Sequence, residues 1–300
     1  MSIKNVSIVG ASGNLGALVL PELLKTGLNV TAVTRETSSA KFPEGTKVAK
    51  SDFGLSSLTE VFKGQDAVIS MLPILALGDQ RIIIEAAIAA GVKRFIPSEY
   101  GSDSTAPVIT AIPFLEDKKK NLEYLKAKEE VISWTALFTG PFFDWEWFAS
   151  FTGANLATKT VTLVDGGTTR FTTSNVAQIS RSLIAILSHA PETANKLVYV
   201  ESFTTTQLEI LAAVEKATGD KWKVVKKRSE DIRAEGFKAM REGKMMEGGA
   251  SVIVAAVLGK EALEDHSHVE GGIWNDRLGL PKQSVEEEVK RILQDGLAKL

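Results

Sequence analysis

The stretch VSIVGASGNLG, Val6 to Gly16, runs a short apolar segment straight into glycines at positions 10, 13 and 16. No other part of the chain restricts the fold as strongly. A strand that must turn at once into a helix needs a residue without Cβ at the turn, and Gly10 supplies it. Gly13 leaves backbone N–H groups open to a phosphate, and Gly16 lets the helix pack close to the sheet. The start of that helix then offers its positive dipole end to an anion. The motif predicts a dinucleotide pyrophosphate held by Gly10, Ala11, Ser12, Gly13, Asn14, Leu15 and Gly16.

Such a motif carries meaning only between a strand and a helix, and the rest of the chain supplies that setting. NVTAVTR, TKVAKSD, DAVISML, RFIPSEYG and SWTALFTGPFF are strand-like, and helical patterns such as NLGALVLPELLKTG, LSSLTEVFKGQ and RIIIEAAIAAGV lie between them. The alternation predicts βαβ units and a parallel sheet covered on both faces. Beyond Pro141 it loosens. TVTLVDGG reads as a strand pair or hairpin edge, SNVAQISRSLIAILSH as a helix capped by Ser174, and KLVYVES as a strand.

The end of the second strand selects the dinucleotide. An acid there would accept a ribose 2′-hydroxyl, but VTRET places Thr34 at that point and Arg35 next. A guanidinium offers two parallel donors to a 2′-phosphate, which favours NADP(H). Lys41 is either a second phosphate partner or a solvated loop lysine. Asp52 and Phe53 close the third strand, where an adenine would lie, and Ser70 and Met71 close the fourth near the nicotinamide ribose. Ser98, Glu99 and Tyr100 close the fifth, within reach of ribose or substrate, although packing and turn formation explain them equally well. PFFDWEWF brings Phe142, Phe143, Trp145 and Trp147 beside the expected nicotinamide site, as walls of a pocket for a flat apolar substrate or as core.

The expected class is α/β, a Rossmann-type doubly wound parallel sheet with a smaller α+β substrate lobe. Residues 1–150 are assigned to the NADP(H)-binding domain and 151–300 to the lobe, with 175–200 free to return to the first sheet. A formal net charge of -2 gives no field for nucleic acid or an anionic membrane, so the expected partner is a small molecule, with a homodimer left open. The absence of cysteine excludes disulfides and thiolate chemistry and fits a reducing cytosol. His266 and His268 lack a third ligand at metal spacing, so no metal is expected. KWKVVKKR alternates like a solvent-facing edge strand. With no leader pattern and no run long enough for a bilayer, the location expected is cytoplasmic.

GASGNLG, VTRETSSAK, SDF and above all RFIPSEYG resemble the NmrA-like family of atypical short-chain dehydrogenases. Its plant branch contains isoflavone, phenylcoumaran benzylic ether and pinoresinol–lariciresinol reductases. The tail IWNDRLGLPKQSVEEEV is similar to that of fungal isoflavone-reductase-like members. The resemblance implies an NADPH domain, a substrate lobe, and a lysine on the helix after the fifth strand in place of the usual Tyr-x-x-x-Lys pair. That helix offers Lys118, Lys119 and Lys120. Phe114, Leu122 and Leu125 define its apolar face, and Lys118 lies on it, with Lys119 as a one-residue alternative. Tyr124 to Lys128 spells the ordinary pair but comes too late in the helix, and is read as packing.

A lysine so placed can hold the nicotinamide ribose hydroxyls and donate a proton to an oxygen that becomes negative. The implied activity is NADPH-dependent reduction of a small aromatic or phenolic secondary metabolite at an enone, quinone methide or carbonyl. Two other readings stand beside it: a redox-sensing regulator of the NmrA type that binds NAD(P) and a protein partner, and an isomerase or cyclase on the same scaffold.

Overall fold

A computed structural model describes residues 2–106, 109, 112–145, 153–155 and 157–295. The first half alternates as its pattern predicts: β1 (Asn5–Val9), α1 (Asn14–Leu24), β2 (Asn29–Arg35), β3 (Lys47–Ser51), α2 (Leu55–Phe62), β4 (Ala67–Ser70), α3 (Gln80–Ala89), β5 (Arg94–Ile96), α4 (Glu116–Lys126) and β6 (Ser133–Phe138). Side chains alternate across each strand. Val6, Ile8, Ala67, Ile69 and Leu137 join the core under α1, whereas Val9, Val68, Phe95, Ala136 and Phe138 join the core under α2, α3 and α4. Apolar residues on both faces make these strands read as continuous hydrophobic runs.

The remaining elements are β7 (Ala154–Asn155), β8 (Thr160–Val164), β9 (Phe171–Thr173), α5 (Val176–Ser188), β10 (Lys196–Tyr199), β11 (Phe203–Thr205), α6 (Gln207–Thr218), β12 (Lys223–Lys227), α7 (Ser229–Arg241), α8 (Met245–Leu258) and α9 (Val285–Asp295). The large sheet has the order β10-β6-β5-β4-β1-β2-β3, and its strand pairs are parallel. The chain winds outward in opposite directions from the β1–β4 boundary. Ligands of such sheets bind beyond the carboxyl ends of the strands at that point. This is a Rossmann-type α/β fold.

Residues on both sides of position 150 build this sheet, because β10 pairs with β6 in the register Lys196↔Thr135 to Tyr199↔Phe138. A cut at 150 therefore runs through one sheet, and α5 lies on the α1 side of its core. Asn175, not Ser174, caps α5: its side-chain oxygen accepts from the Gln178 N–H at 2.8 Å, whereas the Ser174 hydroxyl turns toward the Val200 carbonyl. Arg94, fully buried, ties the crossover down. It donates to Ser133 Oγ at 2.8 Å, Thr135 Oγ1 at 2.8 Å, Thr193 Oγ1 at 3.0 Å and the Ala190 carbonyl. Arg94→Leu orphans these acceptors and is expected to cost about 3 kcal/mol in chemical denaturation.

The second lobe contains two small sheets. β8 pairs with β12 in parallel and with β7 antiparallel, and β9 pairs with β11 antiparallel. TVTLVDGG supplies one strand and a turn, with Asp165, Gly166 and Gly167 at positive φ; its strand pairs antiparallel with β7 just before it, as a hairpin edge does, and in parallel with β12 from distant sequence. β12 is an edge strand whose lysines are exposed. The α7–α8 hairpin shares an apolar cluster with Leu77, Ile109, Ile112 and Leu115. Gly249 is what lets α8 approach, since a Cβ there would lie 2.3 Å from Phe114 Cζ. Among the described residues no helix is long and apolar enough to cross a membrane.

Candidate cofactor and substrate cleft

A cavity of about 940 Å³ follows the carboxyl edge of the sheet from the end of β2 to α4. Its floor is the glycine turn. Gly10 has φ +90, and a Cβ on it would lie 2.2 Å from the Met71 carbonyl oxygen. Gly13 donates its N–H to the Gly10 carbonyl at 2.9 Å and serves as N-cap of α1, and no side chain caps that helix end. An uncapped helix start facing a cavity, with no Cβ over it, fits a phosphate. Ser12, Asn14 and Leu15 complete this part of the lining. Ala11 and Gly16 do not line it. Ala11 belongs to the core, and Gly16 lets the helix sit against the turn, where a Cβ would come within 2.2 Å of the Gly10 oxygen.

At the end of β2, Arg35 lines the cavity, and among the described residues no carboxylate forms an ion pair with it. Thr34, Thr37, Ser38 and Ser39 place hydroxyl-bearing side chains along the same rim. Lys50 Nζ holds this loop by donating to the carbonyls of Glu36 at 3.0 Å and Ser38 at 2.6 Å. Lys41 is exposed and stands outside the lining. Phe53 lines the cavity from a left-handed backbone (φ 65), a conformation that costs a non-glycine residue energy. Asp52 beside it does not, because its carboxylate folds back onto the Gly54 N–H at 2.7 Å. Likewise Met71 lines the cleft, whereas Ser70 is buried behind it.

Ser98, Glu99 and Tyr100 all reach the lining. The Ser98 hydroxyl joins the ends of β4 and β5 by donating to the Leu72 carbonyl at 3.1 Å. In α4, Lys118 lines the cleft and donates Nζ–H to the Glu99 carbonyl oxygen. Lys119 does not line it, and Lys120 points to solvent, paired with Glu116 at 3.2 Å. Burial lowers the Lys118 pKa, and the charges of Glu99 and Glu264 oppose that fall. Burial pushes the Glu99 carboxyl up to about 7, against the pull of the Lys118 charge, and holds the Tyr100 phenol above its usual range.

Phe142 and Trp145 meet edge to face at 4.9 Å and line the cleft with Pro141. Phe143 does not belong with them. Extended backbone at Phe142, which bridges to Ser174, sends the next side chain the opposite way. Phe143 is accordingly 1% exposed and packs at 4.8 Å against Phe203 in the core of the second lobe. Trp147 lies outside the described residues. Tyr124 is absent from the lining and carries the Arg81 guanidinium 3.5 Å from its ring centroid.

Several lining groups have no local sequence signal. Ile74 and Leu77 follow β4, Ile109 and Leu115 precede α4, and Ile253 comes from α8. Outside the lining, Glu264 is buried and its charge acts on Lys118, although it comes from a polar stretch that reads as surface. Among the described residues no group of three or more histidines and acids has the geometry of a metal site.

The fold is that of a Rossmann-type α/β protein, and its cleft lies along the carboxyl edge of the sheet. The sequence model of the NmrA-like family matches residues 2–242. The chain is 32% identical to the oxidoreductase poxI of Penicillium oxalicum, over 95% of this chain and 92% of that one. It is 30% identical to the oxidoreductase aprR of Aspergillus flavus, over 98% of this chain and 100% of the other. The solved structure of AtPrR2 with NADP+ and (+)pinoresinol shares the fold at TM-score 0.80 and 21% identity, over 97% of this chain and 99% of that one. The protein belongs to the NmrA-like family.

Proposed function

We infer that the protein is an NADPH-dependent reductase of a small aromatic or phenolic metabolite. The observation that carries this reading is the presence of the Lys118 ammonium in the same cavity as the uncapped glycine turn and the Arg35 guanidinium. The oxidoreductase names of the two fungal relatives, and the NADP+ and pinoresinol bound by AtPrR2, support it.

NADPH, when bound, supplies the hydride. The protein supplies binding, position and a proton. The first-turn N–H groups of α1, with Ser12 and Asn14, would hold the pyrophosphate; Arg35 and the hydroxyls of Thr37, Ser38 and Ser39 would hold the 2′-phosphate, and Phe53 would line the place of the adenine. Phe142 and Trp145 cover the flat face of the substrate, and Leu77, Leu115 and Ile253 exclude water from it. Lys118 Nζ would hold the ribose hydroxyls and would give its proton to the substrate oxygen as that oxygen gains charge. A lysine whose pKa burial has lowered is a better acid than a free one, and the charges of Glu99 and Glu264 oppose that fall.

Calorimetric titration with NADPH, NADP+, NADH and NAD+ tests the cofactor half of this reading. NADPH is expected to bind at least about tenfold more tightly than NADH, or about 1.4 kcal/mol. Arg35→Ala should erase that margin while leaving NADH affinity unchanged. Equal losses for both cofactors would remove the 2′-phosphate role. NADPH consumption with aromatic enones, quinone methides and carbonyl compounds tests the other half; tight binding of oxidised and reduced forms alike, with no consumption, would favour the redox-sensing regulator.

A further inference from the structure

Lys50 stands on β3, the edge strand of the large sheet, opposite Thr34 of β2. A lysine exposed on an edge strand ordinarily serves only to keep other strands off. This one crosses back to the loop that follows β2, where its Nζ donates to the carbonyls of Glu36 at 3.0 Å and Ser38 at 2.6 Å. The other bonds of the loop close it on the sheet and on itself. Glu36 donates its N–H to the Ser51 carbonyl at 3.1 Å, Ser38 to the Arg35 carbonyl at 3.0 Å, and Ala40 to the Ser38 hydroxyl at 3.2 Å.

These donors alternate with two that have no acceptor among the described residues, the N–H groups of Thr37 and Ser39. Lys50 accounts for the alternation. A trans peptide is planar, with its C=O and N–H pointing in opposite directions, and among the described residues no peptide bond is cis. The Glu36 carbonyl shares a peptide unit with the Thr37 N–H, and the Ser38 carbonyl shares one with the Ser39 N–H. By holding both carbonyls, Lys50 turns both N–H groups away from itself. Thr37, Ser38 and Ser39 line the cleft beside Arg35, whereas Glu36 and Lys50 do not. Neighbouring backbone N–H groups aimed in this way form a concavity suited to an anion.

We propose that Lys50 is a positioning residue for dinucleotide selection: from behind the loop it fixes the Thr37 and Ser39 N–H groups as donors to the 2′-phosphate, next to Arg35. The proposal rests on the NADPH reading and deepens it. Two cations then serve one subsite in different ways. Arg35 would meet the phosphate directly, and Lys50 would meet only the backbone that holds it. NADH carries a hydroxyl in place of that phosphate, so the aim of the two N–H groups bears on one cofactor and not on the other.

The test is calorimetric titration of Lys50→Met and Lys50→Arg with NADPH and NADH, beside amide NMR spectra of the isotope-labelled full-length protein with NADP+. Lys50→Met removes both carbonyl bonds at an exposed position and should weaken NADPH by about tenfold, with NADH within about twofold of the parent. Lys50→Arg still has donors for both carbonyls, and its NADPH affinity should stay within about threefold. Adding NADP+ to the parent should move the Thr37 and Ser39 amide protons downfield, and in Lys50→Met that movement should be lost. Unchanged NADPH affinity in Lys50→Met, equal losses for both cofactors, or amide protons that do not move in the parent would overturn the proposal. So would a weakened Lys50→Met that keeps the downfield movement, since the lysine would then act by charge alone. The NADPH reading is judged separately, by the parent and Arg35→Ala: a preference for NADPH that Arg35→Ala erases upholds it even where Lys50→Met has no effect.

Discussion

Lys118→Met is expected to lower kcat by at least about 100-fold, the scale of a lost general acid, while the protein stays folded. The fold survives because the partner can adjust. Glu99 already titrates near neutrality, at about 7, and the Lys118 charge is what holds it down. With that charge gone its pKa rises further, so at neutral pH the carboxyl takes a proton and no unpaired buried charge remains. Lys118→Arg separates the two tasks assigned to this side chain. An arginine keeps the charge and the grip on ribose hydroxyls but does not give up a proton near neutrality. Cofactor affinity should therefore stay within a few-fold of the parent in Lys118→Arg, with turnover still lost. Steady-state kinetics beside calorimetry reads both effects, and near-parental kcat in Lys118→Arg would reduce the lysine to an electrostatic clamp.

The parts of this architecture that a reader of the sequence can see are those encoded by neighbours in the chain. The glycine turn, Arg35 and the SEY segment each pair a local backbone demand with a local side-chain chemistry, and the cavity collects them at one sheet edge. Helix phase does the same for the lysines: Lys118 shares a face with Leu122 and Leu125, both buried, so its position follows from spacing. Phase fails where the backbone is extended. Phe142 and Phe143 are equally aromatic and adjacent, and only the Phe142–Ser174 bridge decides that one faces the cleft and the other the lobe core. Asp52 and Lys41 fail for a different reason, since being near a strand end does not tell whether a side chain turns to a ligand, to its own loop or to water. Long-range contributions were invisible. Ile253 reaches the cleft because Gly249 admits the Phe114 ring, and Glu264 is drawn inside through the bond that its carbonyl accepts from the Thr172 N–H.

Gly10→Ala should damage the fold and the cofactor site with a single methyl group. The added Cβ would sit 2.2 Å from the Met71 carbonyl oxygen and 2.8 Å from its carbonyl carbon, far inside any real contact, and both atoms are backbone at the end of β4. A flexible side chain could move aside, but a strand end held by the Met71 N–H to Val9 carbonyl bond at 2.8 Å cannot move without loosening the sheet. The φ of +90 adds a strain that alanine meets and glycine does not. Relief requires pushing β1 away from β4 or lifting the turn into the cavity, and either shift displaces the α1 N-terminus from the phosphate position. The expected result is a stability loss of about 2–4 kcal/mol in chemical denaturation, together with a fall in NADPH affinity of at least about 100-fold. Gly27→Ala is the matched control: it also has positive φ, at 77, but nothing lies within 4 Å of its Cβ, and it is remote from the cleft. Its cost should be confined to backbone strain of about 1–2 kcal/mol, with cofactor affinity unchanged. If the two variants bind NADPH equally well, the turn is a structural corner and the phosphate must be held elsewhere.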